Sequence, residues 1–465
     1  MPDLVICGGS VVSSESTIAA DVYVHAGRVV DVMPVDGAPR ARADMPSGVW
    51  ASVDASGMLV LPGIIDPHVH FGLRSRGSIT ADDFSSGTEA AAAGGVTTVI
   101  DYADHAAGKR LRDCAMARLD EAAALASVDF SVHQNVVRLE PDTLEQLCEL
   151  SGLGIASVKV FTTYKDAGYM LDGKSLAGIL AASRESGILV TVHAESDPVI
   201  EDAGRGLIAQ GDTSVHAHAR SRPAEAEAAA IGAVIEAAAS VAGRVYFVHV
   251  STGVGIQRII AARERGLEVH AETCPHYLLL DESAYGREDA ALYIMSPPLR
   301  RGQDRAMLWE AMRAGRIDTI STDHCAFTPG QKALGTSCFD TLPGIPGVQT
   351  LLPLIYTYGV RAGRLNITDM VRMMCENPAR LFGLWGRKGS ISPGFDADFV
   401  ILDPSGGSTL SGDELISKSG YTPYEGIEVS GEIRQVYLRG EIVFERGRFC
   451  GRSGGGRYVP AWQGR

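Results

Sequence analysis

Nowhere in the 465 residues do two of the eight cysteines form a C-x-x-C pair. The thiols at 7, 114, 148, 274, 325, 338, 375 and 450 are therefore read as buried or incidental groups of a reducing cytoplasm. Basic charge is also short. Lys and Arg number 42 against 56 Asp and Glu, a formal net charge of −14. With no basic patch to neutralise phosphates, nucleic acid and anionic membranes are excluded as partners. The apolar stretches are short strand-like or Ala-rich runs, well under a membrane span. The opening Met-Pro-Asp-Leu-Val-Ile lacks the charged n-region and apolar h-region of a secretory leader, so none is expected. What remains is a hydrophobic content of 45%, a charged content of 21% and 53 glycines, which describe an ordinary cytoplasmic globular chain. Its length exceeds one ordinary domain but suits a large barrel with accessory strands.

The two ends are β-rich. Leu4-Val-Ile-Cys-Gly-Gly9, Asp21-Val-Tyr-Val-His-Ala-Gly-Arg-Val-Val30 and Ala51-Ser-Val-Asp54 lie before residue 58, and Ala397-Asp-Phe-Val-Ile-Leu402 and Glu432-Ile-Arg-Gln-Val-Tyr-Leu438 lie after 395. They predict one small β-sandwich domain built from 1–57 and 396–465, with a Gly-rich surface tail from about residue 454. Between them, over 58–395, eight apolar runs alternate with helix-like segments: 58–65, 96–102, 130–137, 156–163, 188–194, 245–251, 268–273 and 317–322. Helix ends are legible: Thr80-Ala-Asp-Asp83 offers a cap before 84–93, Gly94-Gly95 stops that segment, and Pro223 opens an Ala/Glu-rich helix. Near-continuous apolar strands with helical crossovers belong to parallel sheets. Eight of them predict an α/β fold, a (β/α)8 TIM barrel, with a doubly wound open sheet as the alternative.

Barrel chemistry gathers where strands end. The first run ends Asp66-Pro-His68-Val-His70, and alternate residues of an extended segment face the same way, so both imidazoles reach one point. Neutral His is the commonest zinc ligand. The fourth run carries Lys159, the fifth ends at His193, the sixth at His249 and the eighth at Asp323. Singly each has a plain alternative: a satisfied rim histidine, a snorkelling lysine, an N-cap aspartate. Together, at five of eight ends, they point to a metal site. An ammonium repels cations, but a lysine carbamylated by CO2 becomes an anionic carboxylate long enough to bridge two of them. His68, His70 and Asp323 would then hold one ion, His193 and His249 the other, and Lys159 both. Asp66 is the nearest candidate to orient an imidazole, or it is purely structural.

The motifs around these residues extend along nearly the whole chain. They are Gly63-Ile-Ile-Asp-Pro-His-Val-His70, Val158-Lys-Val-Phe-Thr-Thr-Tyr164, His193-Ala-Glu195, His249-Val-Ser251, Glu272-Thr-Cys-Pro-His-Tyr277, Ser296-Pro-Pro-Leu-Arg300, Ser321-Thr-Asp-His-Cys325 and Gln331-Lys-Ala-Leu-Gly335. In this order they resemble the cyclic amidohydrolase branch of the amidohydrolase superfamily, nearest hydantoinase and dihydropyrimidinase. The resemblance implies a barrel with a β-sandwich, two Zn2+ per subunit bridged by N6-carboxylated Lys159, and a homotetramer or dimer. It implies that Asp323 is both metal ligand and general base and acid. Tyr164 would polarise the substrate carbonyl and Ser296 would bind the ring amide through its backbone. The activity implied is hydrolysis of a hydantoin or dihydropyrimidine ring to an N-carbamoyl amino acid.

One motif departs from that pattern. Hydantoinases carry Ile-Pro-Asn-Gly after Gln-Lys-x-Leu-Gly, but here Thr341-Leu-Pro-Gly-Ile-Pro-Gly-Val-Gln349 is one residue shorter and has no Asn. Gly344-Ile-Pro-Gly-Val-Gln349 is more similar to allantoinase, which makes allantoin the alternative ring. If Pro343 takes the Asn place, its missing N–H removes a substrate hydrogen bond. Dihydroorotase places an Arg two residues after the second histidine, where this chain has Gly72, with Arg74 and Arg76 close by. Relatives that serve as signalling scaffolds have lost ligands. Here all six positions are filled, which favours an enzyme over a non-catalytic scaffold.

Overall fold

A computed structural model describes residues 3–35 and 51–462. Eight parallel strands run in chain order, here β1 to β8: Ile64–Val69, Val96–Ala103, Asp129–Asn135, Ser157–Phe161, Leu189–His193, Val245–Phe247, Val269–Thr273 and Thr319–Ile320. Each pairs with the next, and a parallel bridge between Val69 and His324 brings the last segment back to the first. The barrel is thereby nearly closed. Every residue of β1, β2 and β3 is buried, as expected of strands covered on one side by helices and on the other by the barrel interior.

The helices begin and end where the caps lie. Phe84–Ala93 opens on Asp83, whose side chain accepts from Ser86 N while the Ser86 hydroxyl accepts from Asp83 N, and Gly94 caps its other end. Pro223 precedes the 18-residue helix Ala224–Val241, whose Ala226, Ala230, Ile231, Val234 and Ala238 face the core.

Strands from both ends of the chain form a second, mostly antiparallel sheet of nine strands. Its order runs Arg448–Phe449, Glu441–Glu445, Glu428–Leu438, Phe399–Thr409, Leu59–Pro62, Leu4–Val12, Thr17–His25, Arg28–Pro34, with Ala51–Asp54 beside Leu4–Val12. Ile6, Val22, Val24, Val60, Phe399 and Tyr437 supply its core.

Two expectations need correction. The run 58–65 is not one barrel strand. Leu59–Pro62 belongs to the terminal sheet, between Leu4–Val12 and Phe399–Thr409, and the chain changes sheet at Gly63. A Cβ at Gly63 would stand 2.1 Å from Thr97 Oγ1, so no other residue fits that crossing without movement. The Gly-rich stretch from 454 is not a free surface tail either. Arg457 and Val459 hydrogen-bond to both sides of Phe130 at the start of β3. Val459 is fully buried with Ile65, Ile100, Leu189 and Tyr246 in the barrel floor. A Cβ on Gly456 would lie 2.0 Å from the Val128 carbonyl oxygen, so the glycine answers to close backbone packing.

Candidate metal centre

β1 delivers His68 and His70 to the rim on one side of the strand, as alternation requires. His68 Nε2 and His70 Nε2 each stand 3.2 Å from Asp323 Oδ1. His249 joins them: the candidate ligand atoms of His68, His249 and Asp323 lie within 4.8 Å of one another. The His193 ring follows, 4.6 Å from that of His249. Zinc bonds of about 2.0 Å place neighbouring ligand atoms about 3.3 Å apart in a tetrahedron. The two 3.2 Å separations match that spacing. His68, His249 and Asp323 could thus hold a metal ion, with His70 beside Asp323 and His193 beside His249.

The electrostatics agree with ligation. Burial pushes the His68, His193 and His249 imidazoles below their ordinary values, so they are neutral donors. Burial alone would raise Asp323, but His68 and His70 beside it hold the carboxyl down at about 2. Lys159, on β4, is 1% exposed, and its Nζ lies 5.0 Å from the centre of the Tyr102 ring. Among the described residues no carboxylate stands within ion-pair distance of it. Burial pulls it down to about 8, against the partial opposition of Asp323 and Glu272. Among the candidate ligands Asp323 is the one carboxylate, which is little negative charge to set against a metal cation. An uncompensated amine at the same place is the group whose conversion to a carbamate would supply more.

Three candidate residues sit in the left-handed backbone region: Tyr164 at φ 66°, His249 at φ 40° and Asp323 at φ 49°. Such conformations cost about 1–3 kcal/mol each in non-glycine residues and persist where packing over-determines them, commonly at functional sites. Here they fall just beyond β4, β6 and β8 and turn those side chains toward the rim. The Tyr164 ring lies 5.0 Å from His193, and Arg222 Cζ stands 5.2 Å from the ring centre. Burial raises the Tyr164 phenol to about 12, with Arg222 and the Ser296 hydroxyl opposing. Tyr164 is therefore a neutral O–H donor at any working pH. Ser296 lies beside it. From Ile294 to Pro297 the carbonyls of 294, 295 and 297 accept from Lys332, His218 and Tyr277, leaving that of Ser296 without a protein donor among the described residues.

The orienting groups differ from expectation. Asp66 does not touch an imidazole: it accepts from Thr322 N at 3.2 Å, Thr322 Oγ1 at 2.5 Å and His68 N at 3.2 Å, joining β1 to the segment after β8. Glu272, one residue before the end of β7, does that work. Its Oε1 accepts from His68 Nδ1 at 2.8 Å and from His249 N at 2.9 Å, and its Oε2 accepts from the Tyr246 hydroxyl at 2.7 Å. On the other side Glu195 Oε2 meets His193 Nε2 at 2.7 Å, and Arg222 Nε donates to the same carboxylate at 3.1 and 3.2 Å. Carboxylates that fix imidazoles in this way set which nitrogen faces a metal. The readable signal was a Glu at the end of an apolar run, Glu195 two residues after His193 and Glu272 just before Thr273, costly to bury unless partnered.

A barrel of this kind, with imidazoles, a lysine and a carboxylate at the strand ends, defines a metal-dependent hydrolase architecture. The family model described as the amidohydrolase family matches residues 59–443, and the chain belongs to that family. Within it the chain stands with the hydantoinases and dihydropyrimidinases. It is 36% identical over 461 residues to D-phenylhydantoinase of Escherichia coli O1:K1 / APEC, covering 98% of this chain and 97% of that one. It is 36% identical over 459 residues to D-hydantoinase of Geobacillus stearothermophilus, covering 98% and 95%. The crystal structure of dihydropyrimidinase from Brevibacillus agri NCHU1002 superposes with a TM-score of 0.94 at 35% identity, over 99% of this chain and 98% of that one.

Proposed function

We propose that this enzyme hydrolyses the cyclic amide bond of a hydantoin or dihydropyrimidine ring, giving an N-carbamoyl amino acid. The observation that carries the reading is the pair of 3.2 Å contacts from His68 and His70 to Asp323, set beside the neutral Tyr164 donor on a barrel of the amidohydrolase family. In this reading His68, His70 and Asp323 would hold one Zn2+, His193 and His249 would hold a second, and N6-carboxylated Lys159 would serve both. When bound, the metal pair supplies hydroxide at neutral pH and polarises the attacked carbonyl.

The residues divide the remaining work. Ser296 holds the ring amide through its free carbonyl and so orients the scissile C–N bond. Tyr164 donates its hydroxyl hydrogen to the carbonyl oxygen as that oxygen gains negative charge. Asp323 takes the proton released as the new C–O bond forms and passes it to the ring nitrogen as the C–N bond breaks. One water is consumed, and the ring opens. Residues 58–395 carry this chemistry. The unit from 1–57 and 396–465 braces them, with Leu59–Pro62 as the strand where the two meet. Among the described residues no helix is long and apolar enough to cross a membrane. We place the chain in the cytoplasm as a homotetramer or dimer.

The allantoinase-like stretch Gly344-Ile-Pro-Gly-Val-Gln349 keeps allantoin as a second ring, and the backbone before it lacks the donors of the hydantoinase pattern. Pro343 has no N–H, and Gly344 N donates to the Ile294 carbonyl at 2.9 Å, so neither is a free donor for a ring. Zinc-loaded protein given hydantoin, 5-substituted hydantoins, dihydrouracil and allantoin should open at least one ring. Fully metallated protein that opens none would overturn the proposal.

A further inference from the structure

Beyond Asp323 the chain makes a short turn, Pro329–Lys332, capped by Thr328 with Gln331 reaching back to it. Gln331 Nε2 also donates to Ser78 Oγ at 2.9 Å and to the Ile79 carbonyl at 2.7 Å, on the loop that follows His70. The next residue, Lys332, has no exposed surface. Its Nζ donates to the Ile294 carbonyl at 2.8 Å and to the Leu342 carbonyl at 3.1 Å. No carboxylate pairs with it among the described residues.

A lysine sealed in this way is costly to keep charged, and burial pulls it down to about 7. A neutral amine has two N–H bonds, and two carbonyls receive them. The titratable groups facing it are the Cys325 thiol, which burial pushes up, and the His218 imidazole, which burial pulls down to about 4. Both carbonyls belong to segments that border the ring site. Ile294 lies two residues before Ser296, and Leu342 begins the shortened Leu-Pro-Gly stretch. Among the described residues a backbone bond, Gly344 N to Ile294 O, also joins the two segments.

We propose that Lys332 is a positioning residue for ring binding: its buried amine ties Ile294 to Leu342 and so sets the width of the slot between Ser296 and residues 342–344. This rests on the ring-opening function proposed above. Among the described residues Lys332 Nζ bonds to the two carbonyls and to no candidate metal ligand. Its loss should therefore act on substrate affinity and leave the metal in place.

The test uses metal-loaded Lys332→Met, which keeps the apolar stem and removes both donors, and Lys332→Gln, which restores a donor. We expect Lys332→Met to raise KM for whichever ring the wild type opens at least tenfold, with kcat within threefold and zinc content unchanged. Lys332→Gln should fall between the two. Hydrogen exchange at the Gly344 amide should speed up at least tenfold in Lys332→Met. Unchanged KM and unchanged Gly344 exchange would overturn the proposal, as would parallel losses of kcat and zinc, which mark a general structural role. Should Lys332→Met not fold, the same criteria apply to Lys332→Gln. A wild type that opens no ring counts against the proposed function, and the exchange arm still decides whether Lys332 ties the two segments.

Discussion

Replacing Glu272 by Gln separates charge from hydrogen bonding in the metal centre. Both imidazole-side contacts, from His68 Nδ1 at 2.8 Å and His249 N at 2.9 Å, reach the same oxygen, Oε1. A glutamine carbonyl in that position keeps them. Its amide then faces the Tyr246 hydroxyl, 2.5 Å from Thr319 Oγ1, which turns to donate there and accepts from the amide. Fold stability should fall by no more than about 1 kcal/mol, because no buried donor is stranded. The carboxylate's negative charge is lost, however, and with it the added basicity of His68. Losses at such outer positions run about 10–100-fold in metal affinity, or about 1.4–2.8 kcal/mol. Glu272→Ala strands two buried donors, His68 Nδ1 and His249 N, while Tyr246 keeps Thr319, and should cost about 2–6 kcal/mol of stability as well. The measurement is a zinc competition titration against a chromophoric chelator, with thermal unfolding of the metal-free proteins alongside. Glu272→Gln with zinc affinity within threefold of the wild type would refute the reasoning, since Glu272 would then only support the fold.

Other substitutions probe the remaining roles. Lys159→Ala should lose both metal and activity, read by metal analysis and turnover; retained zinc with full turnover would remove the bridging role. Tyr164→Phe should keep its metal and lower kcat by about 100-fold, the usual cost of one oxyanion donor; an unchanged rate would take Tyr164 out of that role. Lys159 also predicts a pH effect in metal-free protein. Burial lowers it from 10.5 to about 8, so between those values the unfolded chain binds a proton that the folded chain does not. Stability should therefore rise with pH across that window, by about 3 kcal/mol, and be at its lowest below it. Lys159→Met should remove this rise from the denaturation profile, and an unaltered profile would mean that the amine is not desolvated.

Much of this architecture is written in local pattern. Apolar runs wholly buried in β1 to β3 read as parallel strands, and His68-Val-His70 reads as one side of a strand end, because both depend on short-range periodicity. What depends on distant partners did not show. Glu272 sits 204 residues from His68, so its hydrogen bond leaves no local trace. Asp66, close in sequence to His68, suggested the nearer and incorrect partner; its acceptors were already committed to Thr322. The run 58–65 looked continuous because Leu59–Pro62 and β1 are both apolar; the crowding of Gly63 by Thr97 and Asp398 divides them. Glycine at 454–456 suggested solvent, yet Gly456 is small because the backbone of Val128 is against it.

The buried position of Val459 bears on how the protein is made. Synthesis runs from the amino terminus, so β1 to β8 leave the ribosome well before residues 457–459 exist to line Phe130 and fill the space beneath Ile65, Ile100 and Tyr246. The terminal sheet waits in the same way, because Leu59–Pro62 stays unpaired on one side until Phe399–Thr409 arrives. A nascent chain that already carries its whole catalytic rim thus still exposes an apolar floor and an open strand edge. Both are surfaces that chaperones hold and that aggregate when left uncovered.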